Sequence, residues 1–277
     1  MENLGTIISV ADFVNKVQNL YKSQNTQKHL FFRGLSKDSY QLLPSVFRPP
    51  FTQHSHSEKD IILDVKQYAP EHNISYSIKE LDKVLCDMQH NEIPTRLLDW
   101  TISPLTALYF ASESHHDASG KIWIFDPWGY NNQIIKYKEK KHPQIHDIHV
   151  IARALIGLEW SEKEIAHYLH NTFAFDQPIS LDDPVAFVAP FTNKRKVFQR
   201  GAFLIFGTAH EPFETCSFAQ PFLSYYTLPK ENKEKIIQEL NNLYINGYTV
   251  YPDYKGMKTV FEKNGSLFNR TPYNNWD

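Results

Sequence analysis

The 277-residue sequence predicts an α+β fold whose β core opens around a cleft and is flanked by helices. Three observations carry this reading. Short strand-like runs and helical patterns are intermixed without the regular strand–helix alternation of a doubly wound sheet. No internal repeat is present. Polar side chains stand at the ends of buried runs, Arg33 after 30–32 and Lys194, Arg195, Lys196, Gln199 and Arg200 before 202–206, as at the mouth of a cleft.

Composition narrows the class. The length allows one large domain or two small ones, and 42% apolar with 22% charged residues is ordinary for a soluble globular chain. Ten glycines argue against Gly-rich phosphate loops. A net charge of −2 argues against a generally cationic nucleic-acid binder and leaves room only for a local basic patch. Two cysteines, Cys86 and Cys216, make neither a metal cluster nor a disulfide scaffold. Residues 1–13 lack a basic n-region and a long apolar core, and no run of about 18 apolar residues occurs. A cytoplasmic protein with no membrane span is expected.

Taken in order, Ser9 caps a helix to about Tyr21, with Val10, Phe13, Val14, Val17 and Leu20 as its apolar face. Residues 30–32 fit a buried strand, followed by Arg33 and Gly34. Residues 41–50 are irregular, punctuated by Pro44, Pro49 and Pro50, with Arg48 as a second cation. A helix runs from Ser57 toward Ala69; His54 and His56, two apart, suit a solvated loop. Ser77–Met88 is a helix, and Ser103 caps another with Pro104 at its first position. A strand at 121–126 is closed by Pro127. Residues 134–149 are basic and His-rich, and a solvated face competes there with a partner or RNA contact. Ser161 and Glu164 form a capping box for a helix to about Leu169. Strands follow at 185–189, 202–206 and 222–228. A helix from Pro229 is ended by Gly247, a strand spans Tyr248–Tyr251, and a turn at 252–256 precedes a last short helix. Phe268, Tyr273 and Trp276 stud a weakly patterned tail.

Chemistry concentrates at Met88–Ala111. His90, Glu92, Thr95, Arg96 and Asp99 crowd ten residues between two apolar helical patterns, and polar groups held there need partners or a function. An internal Arg96–Asp99 ion pair with Trp100 plugging the core is the structural alternative. Arg33 is an anion clamp by its planar fork, with a structural carboxylate pair as its alternative. Gly34 lets the backbone turn or approach a ligand closely.

The runs 31–34 (FFRG), 42–48 (LLPSVFR), 94–111 (PTRLLDWTISPLTALYFA), 120–127 (GKIWIFDP), 196–207 (KVFQRGAFLIFG) and 247–256 (GYTVYPDYKG) resemble, in order and spacing, the FRG domain family. The resemblance covers roughly 28–262. It divides the chain into an N-terminal helix at 1–27, the FRG domain at 28–262 with 129–184 as an insertion or cover segment, and a tail at 263–277. A second resemblance is to arginine-type ADP-ribosyltransferases, with Phe32–Arg33–Gly34 similar to their first element. Thr95 or Thr101 leading into 103–111 is similar to the second, and Gln199 to the third, where that family carries glutamate.

This resemblance implies an ADP-ribosyltransferase-like, mixed or antiparallel split β core. It also implies a mono-ADP-ribosyltransferase toxin of a toxin–antitoxin or phage-defence system. NAD would be the substrate, no metal is expected, RNA is the favoured acceptor, and a neutralising antitoxin is the implied partner. Arg33, Gly34, Thr95 and Arg96 are the expected NAD-binding residues, and Asp99, Gln199 and His90 the catalytic ones. The missing glutamate leaves Asp99, Glu92, Glu214 or Asp253 to supply a carboxylate. A non-catalytic nucleotide-binding module is the rival reading. A metal-dependent nuclease ranks below both, since no HExxH or DxD spacing occurs.

Overall fold

The structure, a computed structural model, describes residues 1–23, 30–53, 57–72, 74–76, 81–139, 182–188, 199–207 and 209–264. Among them, strands β1 (Glu2–Thr6), β2 (Phe31–Leu35), β3 (Leu97–Thr101), β4 (Gly120–Phe125), β5 (Val185–Phe187), β6 (Gly201–Ile205) and β7 (Leu223–Leu228) form one sheet in the order β1-β7-β4-β2-β3-β6-β5. β1 lies parallel to β7 and every other neighbouring pair is antiparallel. The fold is α+β, as the sequence predicts, with a mixed seven-stranded sheet.

Helices cover both faces. Helices α1 (Val10–Ser23), α4 (Pro104–Ser112) and α6 (Lys230–Asn242) bury Phe13, Ala107, Leu108, Ala111, Ile236 and Leu240 against Phe32, Ile122, Ile124 and Tyr226 of the sheet. On the opposite face α2 (Glu58–Tyr68), α3 (Leu81–His90) and α5 (Pro127–Glu139) pack Ile62, Val84, Leu85, Met88, Tyr130 and Ile134 against Phe31, Trp123 and Phe125. Alternate residues of β2 and β4 thus enter different cores, as the two-residue period of a strand requires.

Local capping explains where helices begin. Ser9 Oγ accepts from the Asp12 N–H at 3.1 Å. Ser57 and Asp60 close a reciprocal capping box. Ser103 Oγ accepts from the Thr106 N–H at 3.3 Å, with Pro104 as the first helical residue.

Three elements differ from expectation. β1 was not anticipated, because its five residues (ENLGT) have little strand character and are recruited by pairing with β7. α5 replaces the unpatterned stretch after Pro127. Asp126 Oδ1 accepts from the Trp128 and Gly129 N–H groups at 3.1 and 3.0 Å, so Pro127 opens a helix as well as closing β4. Tyr248–Tyr251 is not a strand, and Gly247 does not end the preceding helix. Residues Gly247–Val250 form a short helix, α7, before α8 (Tyr254–Asn264). The Asn246 side chain accepts from the Tyr248 and Thr249 N–H groups at 3.1 and 3.2 Å, and Thr249 Oγ1 accepts from the Asn246 N–H at 2.9 Å. That two-way cap overrides the β propensity of YTVY. His54, His56, residues 140–149, the expected helix from Ser161, Lys194–Lys196 and the tail from Gly265 lie outside the described residues. No described helix is long and apolar enough to cross a membrane.

Candidate functional site

The sheet parts between its two central strands. β2 and β4 share a five-residue register and so do β3 and β6, but β2 and β3 meet only at Phe32 and Thr101. In a continued antiparallel ladder Gly34 would face Asp99. Instead the strands diverge, and a cavity of about 360 Å³ opens between them, bordered also by the end of α3, the C-terminal end of α4 and α7. That volume falls in the range of small-ligand pockets.

Arg33 reaches across the divergence. Its guanidinium donates to the Asp99 backbone carbonyl. Its Nε is buried and has no acceptor among the described residues, and the same holds for the indole N–H of Trp100, which also lines the cavity. Burial pushes the Arg33 pKa down to about 10; Asp99 opposes the fall and the Arg48 charge adds to it. Arg33 therefore remains cationic at neutral pH. Arg48 lines the same cavity, donates from Nε to the Leu43 carbonyl at 2.6 Å, and is lowered by desolvation against the pull of Asp99. Asp99 lies within electrostatic reach of both guanidinium groups, and Glu214 acts on Arg33 as well.

Asp99 is held by Gln89. Gln89 Nε2 donates to Asp99 Oδ2 at 2.5 Å, while Gln89 Oε1 accepts from Thr95 Oγ1 at 2.5 Å. His90, the last residue of α3, lines the cavity beside it. Gln199 closes the far wall. Its amide donates to the Val250 carbonyl at 3.1 Å, and its backbone carbonyl accepts from Thr101 Oγ1 at 2.5 Å. The side-chain amide is thus used to fix α7 to the cavity.

Arg33, Gly34, His90, Asp99 and Gln199 are brought together here; Thr95 and Arg96 are not among the lining residues. Thr95 is fully buried and serves Gln89. Arg96 is buried in an ion pair with Glu58 of α2. Its Nε donates to Glu58 Oε2 at 2.5 Å and its backbone N–H to Glu58 Oε1 at 2.7 Å. The structural alternative paired Arg96 with Asp99; the carboxylate that meets Arg96 comes instead from a helix 38 residues earlier. Gly34 also needs a different explanation. A Cβ on it would lie 1.8 Å from the Ala107 carbonyl oxygen, so what approaches its backbone so closely is α4.

Of the alternative carboxylates, Glu214 accepts from the Leu42 N–H at 3.0 Å and Asp253 from the Gly256 N–H at 2.9 Å. Glu92 occupies a left-handed position after α3, at φ 61°. None of the three lines the cavity. Glu113, Gln89 and Tyr251 do, and sequence reasoning missed them. Only Glu113, next to the alanine-bearing helix, carried a signal: a carboxylate at a helix C-terminus opposes the helix dipole. Ser36 and Ser114 border the cavity too, and the buried Lys233 holds their loops by donating to the Ser36, Ser114 and His115 carbonyls at 2.6, 3.2 and 2.9 Å. Among the described residues no group of three or more His, Cys, Asp or Glu side chains is placed to hold a metal ion.

The Glu58–Arg96 pair gives a direct test of what supports the cavity floor. Glu58→Ala takes the Glu58 carboxylate away from a buried guanidinium, so a loss of about 3–5 kcal/mol of stability is expected. Urea denaturation measures it, and a loss below about 1 kcal/mol would show that the pair does not anchor β3.

Compared with known proteins, residues 28–120 match the FRG domain. No curated protein and no solved structure matches the chain.

Proposed function

Because the chain carries an FRG domain over residues 28–120, which contains β2, β3 and most of the cavity wall, we propose that this cavity binds NAD as substrate. On this reading the protein is a mono-ADP-ribosyltransferase toxin of a bacterial toxin–antitoxin or phage-defence system, with RNA as its favoured acceptor and a neutralising antitoxin as its partner. One observation carries the reading: two arginines line the cavity around Asp99, and on two lining residues, Arg33 and Trp100, a buried N–H donor has no acceptor among the described residues. Buried donors without partners are rare in folded proteins. A diphosphate would meet these guanidinium groups with charge-assisted hydrogen bonds and supply acceptor oxygens.

Transfer breaks the bond between the ribose C1′ and the nicotinamide nitrogen, and the electron pair leaves on nicotinamide. A lone pair of the acceptor forms the new bond to C1′, and the acceptor's proton passes to a base. Positioning and electrostatics supply the acceleration. Arg33 and Arg48 hold the diphosphate. His90 reaches a ribose hydroxyl, the Asp99 backbone carbonyl positions Arg33, and the Leu43 carbonyl positions Arg48. Gln199 cannot act as a base; it shapes the wall through Val250.

That glutamine also favours a second reading, a module that binds a nucleotide without turning it over. Incubating the protein with adenylate-labelled NAD and cell extract separates the two. Label that enters macromolecules and is removed by RNase supports the transferase and its acceptor. Intact NAD with a ligand-dependent rise in Tm supports the binding module. Neither label nor a Tm shift overturns both.

A further inference from the structure

Glu113 is a carboxylate of the cavity wall. It follows Ser112 at the end of α4, and its backbone N–H still donates to the Tyr109 carbonyl at 2.9 Å. Its side chain lines the cavity, and Oε1 accepts from the Tyr251 hydroxyl at 3.2 Å. The Tyr109 hydroxyl is a second donor to it; burial and the Glu113 charge push the Tyr109 pKa up, so that hydroxyl stays protonated.

The placement is electrostatically unfavourable. The C-terminal end of a helix carries partial negative charge, and an anion there costs stability where a cation would add to it. Negative potential gathers at this place from the last carbonyls of α4 and the Glu113 carboxylate, beside the rings of Phe110 and Tyr251, whose centroids are 5.9 Å apart. Arg33 and Arg48 supply the positive potential. A cavity with such a charge distribution suits a ligand that is anionic in one part and cationic in another.

We propose that Glu113 is the catalytic carboxylate of this site, facing the ribose C1′. It stabilises the positive charge that develops there and takes the proton from the attacking acceptor. The inference rests on the transferase reading above. In the balanced step the C1′–nitrogen electron pair departs with nicotinamide, and the acceptor oxygen or nitrogen bonds to C1′. Its proton moves to Glu113 and then to water. Asp99 is less suited to this task, since it is bound by Gln89 and lies within the field of both arginines.

The test is Glu113→Gln, which keeps the shape and an acceptor oxygen for the tyrosines but removes the charge. At saturating NAD, label transfer and nicotinamide release are expected to fall about 100- to 1000-fold. NAD affinity by calorimetry should change less than about 3-fold. Tyr109→Phe removes one donor to Glu113 but leaves the carboxylate, and its loss of transfer is expected to be at least about tenfold smaller than that of E113Q. E113Q that keeps full transfer overturns the proposal while the transferase reading stands. Loss of transfer together with NAD binding and Tm, or a Y109F loss as large as that of E113Q, assigns Glu113 to holding the tyrosines and also overturns it. A wild-type protein that releases no nicotinamide removes the transferase reading and this inference together.

Discussion

Gly34→Ala is expected to lose more stability than any other single methyl addition at a described glycine except Gly256. The new Cβ would stand 1.8 Å from the Ala107 carbonyl oxygen and 2.8 Å from the Ala107 carbonyl carbon and the Ala111 nitrogen. All three atoms are backbone, so no side-chain rotation relieves the contact. Either α4 moves off β2 or β2 bends. Overpacking ordinarily costs about 1–3 kcal/mol, and the rigidity of both partners puts this site at or above the upper end. For a chain of this size a loss of about 3 kcal/mol lowers Tm by roughly 6–12 °C. The consequence for the site is larger still, because α4 carries Phe110 and leads into Glu113. Thermal unfolding by circular dichroism checks this; a fall in Tm below about 2 °C would mean that α4 does not seat on Gly34.

Arg33→Met is expected to do the reverse: keep the fold and lose the ligand. The Arg33 pKa falls on folding, to about 10. A cation whose pKa is lowered in the folded state opposes folding wherever it is protonated. That penalty is present in full at neutral pH and fades as the pH rises past about 10. Methionine fills similar space without charge, so Tm at pH 7 should hold or rise. NAD binding should weaken by about one to two decades, the worth of a charge-assisted hydrogen-bond contact of about 1.5–3 kcal/mol. Calorimetric titration with NAD, paired with a melting curve, reads both effects. A lower Tm with unchanged affinity would make Arg33 a structural strut for Asp99. A residue that costs stability and binds substrate fits the common trade-off at functional sites.

Several features were legible in the residues because their causes are local. Ser9, Ser57 with Asp60, and Ser103 with Pro104 each satisfy N–H groups within one turn, so the helix starts at 10, 58 and 104 follow from spacing alone. The apolar, β-branched or aromatic runs at 30–32, 121–126, 202–206 and 222–228 mark the strands that form at 31–35, 120–125, 201–205 and 223–228. The mixture of these elements without strict alternation was enough for the α+β class. The asparagine cap that turns 247–250 into a helix was just as local and was outweighed in reading by YTVY.

The cavity was legible only in part. Arg33 and Asp99 stood out as charged residues at buried runs, yet they are 66 residues apart and their meeting depends on β2 and β3 separating after one pair. Crowding in sequence misled at Thr95 and Arg96, because neighbours on an extended chain point in different directions. Arg96 takes its partner from α2, and Thr95 is turned into the core. Glu113, Gln89 and Tyr251 belong to three separate elements, α4's end, α3 and α7's end, and only Glu113, an anion at a helix C-terminus, is marked by its own neighbourhood. Amino-acid order alone decided the helix starts at 10, 58 and 104, the apolar strand runs and the fold class, since these depend on interactions over a few residues. Tertiary structure alone decided the parallel pairing of β1 with β7, the gap between β2 and β3 and the charges that face each other across it. Those depend on contacts between segments far apart in the chain, whose desolvation and pairing arise only when the sheet assembles.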